Sequence, residues 1–345
     1  MKILLTSAGR RGYLVQYFKK ALEGFGEIHV ANSSPHSTAM KYGDQFVVTP
    51  LIYADAYIPF LKEYCEANQI DALISLFDID LPILANHSHE FEEIGVKVIV
   101  SNKEVISICN DKWHTFNFLE KQGFHTPLTF LSIKEAAAAV SKGIIDFPLI
   151  IKPRWGMGSI AIFEADNLEE LTILYKKTRN IINSSYLSYE AQQSEEHCVI
   201  IQEKLVGQEY GLDVINDLEG NYRSTIVKKK VAMRSGETDS AETIANLELE
   251  QTGAKLSETL RHIANLDTDV FIVDGKPYVL EMNARFGGGY PFSHLAGVDL
   301  PKAIIKWISG KVVEDSLLTA RVGVVGYKDI AIIENMRKDT PLVQL

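Results

Sequence analysis

Over the first hundred residues, short apolar runs alternate with amphipathic stretches. "KILLTSA", "IHVANS", "QFVVTP", "DALISLF" and "KVIVS" read as strands, and residues 12–24, 55–68 and 81–93 between them as helices. Strands alternating with helices form a parallel sheet covered on both faces, which predicts a Rossmann-like α/β unit. Near residue 110 the pattern changes. Residues 103–108, 111–123 and 132–142 carry helical periodicity, and "TPLTFLS" reads as a strand. "FPLIIKPRWGMGSIAIFEA" reads as two strands joined by a Gly-rich loop, followed by a helix over 167–178. The polar stretch 180–196 is expected to be a mobile connection. Residues 209–216 and 221–233 read as antiparallel strands around "DLEGN", and 249–264 as a helix. "DVFIVDGKPYVLEMN" reads as a hairpin turning at Asp274-Gly275, followed by a helix over 300–309 and a short β-rich tail. The second part is therefore α+β with antiparallel sheets.

Composition narrows the class without naming a chemistry. The 345 residues are 46% hydrophobic and 23% charged, as in a globular protein with a large core. No apolar run reaches the roughly 20 residues of a membrane span, and the amino-terminal stretch lacks signal-peptide organisation. The three cysteines are scattered without a CxxC, which suits reduced thiols in the cytoplasm. A net charge of −10 argues against nucleic-acid binding.

Four segments carry candidate chemistry. In "YVLEMNARFGGG", Glu281, Asn283 and Arg285 alternate at a strand end and then meet three glycines. A carboxylate and an amide at i and i+2 suit a hard divalent cation, and a guanidinium beside them suits phosphate. Whether Asp267 and Asp269 join that face depends on the hairpin. A two-residue loop pairs Glu281 with Thr268 and turns both aspartates away. A three-residue loop pairs it with Asp267 and keeps both on the face; either register is open. "PLIIKPRWGMGS" places Lys152 at a strand end, before Gly156, Gly158 and the Ser159 hydroxyl, where backbone N–H groups can approach phosphate oxygens. Lys112 opens a helix after Asn110 or Asp111 as N-cap. In "VIIQEKLVGQEYGLDV", the extended edge Gln202, Glu203, Lys204 and Leu205 suits an adenine, and the Glu209 carboxylate suits ribose hydroxyls.

Together the four ordered segments resemble the ATP-grasp superfamily, in flavour that of the synthetase units of the carbamoyl-phosphate synthase large subunit. The resemblance covers essentially the whole chain. It implies a Rossmann-like pre-ATP-grasp domain over 1–110. An ATP-grasp fold would follow, two α+β subdomains clamping ATP: a small lid subdomain over 111–200 and a C-terminal subdomain with the metal site over 201–345. It also implies that Lys112 and Lys152 contact ATP phosphates, that Gly156 to Ser159 form a lid, and that Glu203 and Leu205 hold adenine through their backbones while Glu209 holds the ribose. Asp269, Glu281 and Asn283 would bind two Mg²⁺ ions, with Mn²⁺ as a substitute, and Arg285 would stabilise phosphoryl transfer. Asp269 at the first metal position favours the three-residue hairpin loop. Gln202 departs from the acidic residue of many relatives, and the lid carries a bulky Trp155. Family members are often dimers, so a homodimer is expected.

The implied reaction activates a small-molecule carboxylate with ATP for attack by an amine, releasing ADP and phosphate. Arg10 or Arg11 is a candidate for the carboxylate, Asp78 or Asp80 for an ammonium, and Arg234, beyond Lys228 and Lys230, for substrate or phosphate. His294 reads first as a structural histidine. A kinase-like enzyme that releases an acyl phosphate and a non-catalytic nucleotide-binding protein are the alternatives. "SAGRRGY" keeps only Gly9 and Gly12 of a dinucleotide fingerprint, and His87 and His89 point to opposite sides of a helix, so neither NAD(P) nor a histidine metal site is expected.

Overall fold

The computed structural model describes residues 1–234 and 236–334. Strands β1 (Lys2–Thr6), β2 (Glu27–Asn32), β3 (Gln45–Val48), β4 (Ala72–Ser75) and β5 (Lys97–Ile99) form a parallel sheet in the order β3-β2-β1-β4-β5. Helices Gly12–Ala21, Tyr57–Asn68 and Asp80–Glu92 cross over between strands. Strand order reverses between β1 and β4, so the loops leaving these two strands diverge and open a crevice at their carboxyl ends.

A second, antiparallel sheet holds β6 (Thr129–Phe130), β7 (Leu149–Pro153), β8 (Phe163–Ala165) and β9 (Val199–Glu203), in the order β6-β9-β7-β8. Its apolar side, with Leu149, Ile151, Val199 and Ile201, packs against Leu171 and Ile182 of helix Leu168–Asn183 and against Ala136 and Ala139 of helix Ile133–Ser141. Trp155 belongs to this core and lies under the Arg154 guanidinium at 4.5 Å, so the lid's one bulky residue anchors its base. The segment expected to be a mobile connection is ordered instead. The helix runs on to Asn183, and a short helix, Ser188–Ala191, buries Glu190 and Ala191.

The third sheet is antiparallel: β10 (Gln208–Asn216), β11 (Tyr222–Arg234), β12 (Glu237–Ile244), β13 (Asn265–Val273), β14 (Lys276–Asn283) and β15 (Val325–Tyr327), in the order β14-β13-β10-β11-β12-β15. Its rear face, with Leu212, Val214, Val227, Leu266, Val270 and Met282, is covered by Leu249 and Leu256 of helix Leu247–Leu260, with Val105, Ile106 and Leu119 from helices Lys103–Asn110 and Lys112–Lys121. The helix expected over 249–264 thus starts earlier and stops at Leu260, where Arg261 turns left-handed. Strand β12 and helix Tyr290–Leu295 were not expected. Part of the expected β-rich tail, residues 335–345, lies outside the described residues.

The first and third sheets share a core. Ile304 of helix Leu300–Ile308, Phe286 and Tyr290 join the cluster around Leu14 and Phe18 of helix Gly12–Ala21. This fixes the crevice at the ends of β1 and β4 beside the front face of the large sheet.

Candidate active site

The hairpin that carries the acidic strand end settles the open register in a third way. Its loop has two residues, Asp274 and Gly275, both at positive φ (49° and 76°), a turn whose twist matches the strands. From Val273↔Lys276 the pairing runs regularly to Val270↔Val279 and then shifts, leaving Leu280 as a bulge. The extra residue restores parity, so Asp269 pairs with Glu281 and Asp267 with Asn283. All four polar side chains then share the front face, while Val279 and Met282, three residues apart, both reach the core. The three-residue loop is therefore wrong, although the face that it was invoked to build is present.

That face borders a cleft of about 620 Å³ between the large and the small sheet. One end is walled by Ile150, Phe271 and Leu280 and edged by Gln202, Glu203, Lys204 and Leu205, where β9 leaves the small sheet. The Gln202 side chain is buried and donates to Thr129 Oγ1 at 2.8 Å, so it is committed inside the sheet rather than to the cleft. Lys204 pairs with Glu164 at 2.7 Å, which leaves main chain as the presented edge. Glu209 accepts from Lys230 at 2.6 Å, and the same ammonium reaches Asp269 at 2.7 Å.

Toward the other end stand Lys112, Lys152 and the glycine loop. Asp111 is the N-cap of the Lys112 helix, accepting from Trp113 and His114, and its carboxylate also pairs with Arg154 at 2.7 Å. Lys112 Nζ donates to the Gly156 carbonyl at 2.7 Å. Gly156 has φ +127°, and a Cβ there would meet Leu187 at 2.9 Å. Ser159 lies against Gly236, close enough that a Cβ at 236 would fall 2.1 Å from Ser159 Oγ. The loop therefore rests on the tip of the β11–β12 hairpin and roofs the cleft.

Burial pushes the Lys152 ammonium down to about 8, against the opposing pull of Glu281. Burial acts to raise Glu281, but Lys112, Lys152 and Arg285 outweigh it and hold the carboxylate below its usual range. Asp269 moves the other way. Burial pushes it up to about 6, opposed by Lys230 and reinforced by Asp267. Glu190, buried behind Lys112, is pushed up to about 7 by burial.

Arg285 lines the cleft, but two aspartates already hold its guanidinium: Asp267 at 2.7 Å and Asp78, from the loop after β4, at 3.0 Å. No local pattern marks this clamp, because Asp78 is 207 residues away. The first glycine of the "GGG" run serves it. A Cβ on Gly287 would fall 2.0 Å from Asp267 Cγ, so only glycine lets that carboxylate pass. Gly289 likewise lies over Lys228, which is buried with Asp213; that pair is further tied to Ser293 and Asn265.

Four expected candidates sit elsewhere or are otherwise committed. Arg234 is exposed, pairs with Asp239 at 2.7 Å and does not line the cleft, although its neighbour Met233 does. Asp80 is fully buried and accepts from Thr6, Ser7, Ser75 and Tyr57, so it cannot receive an ammonium. Arg11 donates to the carbonyls of Leu76 and Phe286, bracing the first loop, whereas Arg10 is exposed at the cleft. His294 is structural: it stacks on Tyr17 at 3.7 Å and bonds the Val298 carbonyl.

Among the described residues no three His, Cys, Asp or Glu side chains gather to hold a metal by themselves. Asp269, Glu281 and Asn283 offer two carboxylates and an amide oxygen on one face. That set fits a hard divalent ion that completes its shell with phosphate oxygens and water. No helix among the described residues is long and apolar enough to cross a membrane.

Residues 3–99 match the family model of the PylC-like N-terminal domain, and residues 109–289 match that of the ATP-grasp domain. The chain is 26% identical over 310 residues to the carbamoyl phosphate synthase large chain of Pseudothermotoga lettingae, covering 86% of this chain and 26% of that protein. It thus spans about a quarter of the length of the curated relatives it matches. Among solved structures, biotin carboxylase from Campylobacter jejuni, a β,γ-ATP complex, superposes with a TM-score of 0.74 at 18% identity, covering 94% of this chain and 74% of that one. L-amino acid ligase from Bacillus licheniformis gives 0.63 at 16% identity, with 88% and 73% covered. The whole-length likeness in fold, the ordered motifs and the matched domain agree: the chain belongs to the ATP-grasp family.

Proposed function

We propose that the chain joins a small-molecule carboxylate to an amine through an acyl phosphate, releasing ADP and phosphate. The observation that carries this reading is the meeting of two strand ends from different sheets. Lys152 of β7 and Glu281 of β14 face one cleft closely enough to perturb each other's protonation. Lys112 and Lys152 would neutralise the phosphates under the lid formed by Gly156, Gly158 and Ser159, while the backbones of Glu203 and Leu205 hold adenine and Glu209 the ribose. Asp269, Glu281 and Asn283 would hold Mg²⁺, or Mn²⁺ in its place, which supplies positive charge to the phosphate oxygens; two ions are part of this reading. Arg285 keeps a fixed guanidinium beside the terminal phosphate, and Arg10 is the exposed cation for the acceptor carboxylate. Phosphoryl transfer needs positioning and charge neutralisation more than covalent help, and this equipment suits that demand.

The expected division at 110 and 200 belongs to the same reading, as does a homodimer. The three cysteines are buried and unpaired, which supports a reducing, cytoplasmic setting. The likeness to carbamoyl phosphate synthase over 86% of the chain favours one alternative, phosphorylation of a carbamate or carboxylate with release of the acyl phosphate. ADP release measured across a panel of carboxylates, with and without amines, separates the two. Amine-dependent release with amide product supports the ligase, amine-independent acyl phosphate supports the alternative, and absence of ADP release with every acid contradicts both.

A further inference from the structure

Behind Lys112 and the lid lies a small side chamber of about 10 Å³, lined by Asp78, Cys109, Asn110, Lys112, Gly156, Met157, Glu190 and Asn283. Lys112, Gly156, Met157 and Asn283 also line the main cleft, so the two spaces share a wall at the phosphate end. A volume of this size is about that of one probe sphere, room for a single water-sized molecule.

The chamber's chemistry is one-sided. Asp78 is 6% exposed; its Oδ2 holds Arg285, while its Oδ1 is buried with no partner among the described residues. Asn110 Oδ1 is buried and orphaned too, and its orientation is fixed because its Nδ2 donates to the Asp78 carbonyl at 2.7 Å. Glu190 is 7% exposed and, among the described residues, makes no hydrogen bond or ion pair through its carboxylate. Lys112, the one cation on the wall among the described residues, directs its ammonium to the Gly156 carbonyl. The two orphaned buried acceptors call for an explanation, and with the Glu190 carboxylate beside them and Lys112 turned to Gly156 they suit a small ligand made only of donors.

We propose that this chamber is the docking site for an ammonium ion, which supplies the nitrogen nucleophile, and that Asp78, Asn110 and Glu190 hold it. The proposal rests on the ligase reading and names its amine. A carboxylate or phosphate is excluded by like charge, and a primary amine carrying a carbon chain by size. In the reaction the ammonium passes one proton to Glu190. The resulting ammonia forms a bond to the acyl carbon, and the carbon–oxygen bond to phosphate breaks. Of the four protons, one rests on Glu190, one leaves with phosphate and two stay on the amide.

The test uses the full chain and two independent readouts. In the first, the NMR signal of ¹⁵N-ammonium chloride is followed with the MgADP-loaded protein. Exchange broadening is expected, and it should weaken at least tenfold in affinity in Glu190→Gln and Asn110→Leu. An unperturbed signal, or displacement by equimolar potassium, would overturn the assignment. In the second, ADP release with a supporting acid is compared for ammonium chloride, methylamine and glycine. Ammonium alone should stimulate, and Asn110→Ala, which enlarges the chamber and keeps the Glu190 carboxylate, should gain a response to methylamine. Stimulation by glycine or methylamine but not ammonium overturns the proposal and leaves the ligase reading standing. Ammonium binding without any amine-stimulated turnover supports the chamber and overturns the ligase reading instead.

Discussion

Gly287→Ala is the substitution whose consequence follows most directly from the coordinates. An added Cβ would lie 2.0–2.2 Å from the Cγ, Oδ1 and Oδ2 atoms of Asp267. Non-bonded carbons settle at roughly 3.5 Å or more, so the carboxylate has to move by roughly 1.5 Å. It then leaves Arg285, which it now meets at 2.7 Å. Breaking a buried pair costs roughly 3–5 kcal/mol. Arg285 keeps Asp78, and the Asp267 side chain is 17% exposed, so a loss of about 2–3 kcal/mol is expected here. Urea unfolding measures it as a lower midpoint at unchanged slope. Turnover should fall as well, because Asp267 and Arg285 border the metal face. A double-mutant cycle with Asp267→Ala isolates the cause: the double variant should be less destabilised than the sum of the singles, because the clash has gone. An alanine variant with an unchanged midpoint, or strict additivity in the cycle, would refute the close-approach argument.

Lys152→Ala and Glu281→Ala should each lower turnover by roughly 10²-fold or more with unchanged circular dichroism; full activity in either would refute its assigned role. Because burial lowers Lys152 to about 8, ATP binding should take up a proton near that pH and weaken above it, since the deprotonated amine offers phosphate no charge. Calorimetry in two buffers of different ionisation enthalpy checks the uptake, and buffer-independent heats would contradict it. His262 is buried neutral and pushed down to about 4 by burial, so its contribution to stability is fully present above about pH 6.5 and is lost as pH falls toward 4. That amounts to about 3 kcal/mol, measurable as a stability slope over this window that flattens in His262→Asn. Arg234→Ala should leave kcat and KM within about twofold, as an exposed residue outside the cleft; a large loss would return it to the site.

Local signals gave the parts of the site that a short stretch of chain encodes. Asn110 or Asp111 reads as an N-cap because both precede an amphipathic run, and in the fold Asp111 caps the Lys112 helix. Glu281 and Asn283 read as one face because alternation is a property of the strand alone; the strand stops at Asn283, and Arg285 reaches the cleft from the bend that follows. Parity across the hairpin was not readable. It depends on a bulge at Leu280, and an apolar residue marks no bulge in a sequence. Strand β12 carries no local signal, because "ETDSAETI" is polar and its order comes from pairing with β11 and β15. The stretch 180–196 looked mobile by composition, yet Leu187 and Ala191 tie it to the lid core. Asp78, Glu190 and Asn110 gave no local hint of acting together, because only the packing of three elements brings them to one chamber.

The central claim is that a magnesium nucleotide lies between the small and the large sheet with its phosphates among Lys112, Lys152 and the Asp269–Glu281–Asn283 face. A crystal structure of the chain grown with Mg²⁺ and a non-hydrolysable ATP analogue tests it directly. The account predicts adenine at the Glu203–Leu205 edge and the terminal phosphate within reach of Lys152 and Glu281's metal. A triphosphate bound at the first-strand loop instead, with the cleft between the sheets holding only solvent, would contradict it.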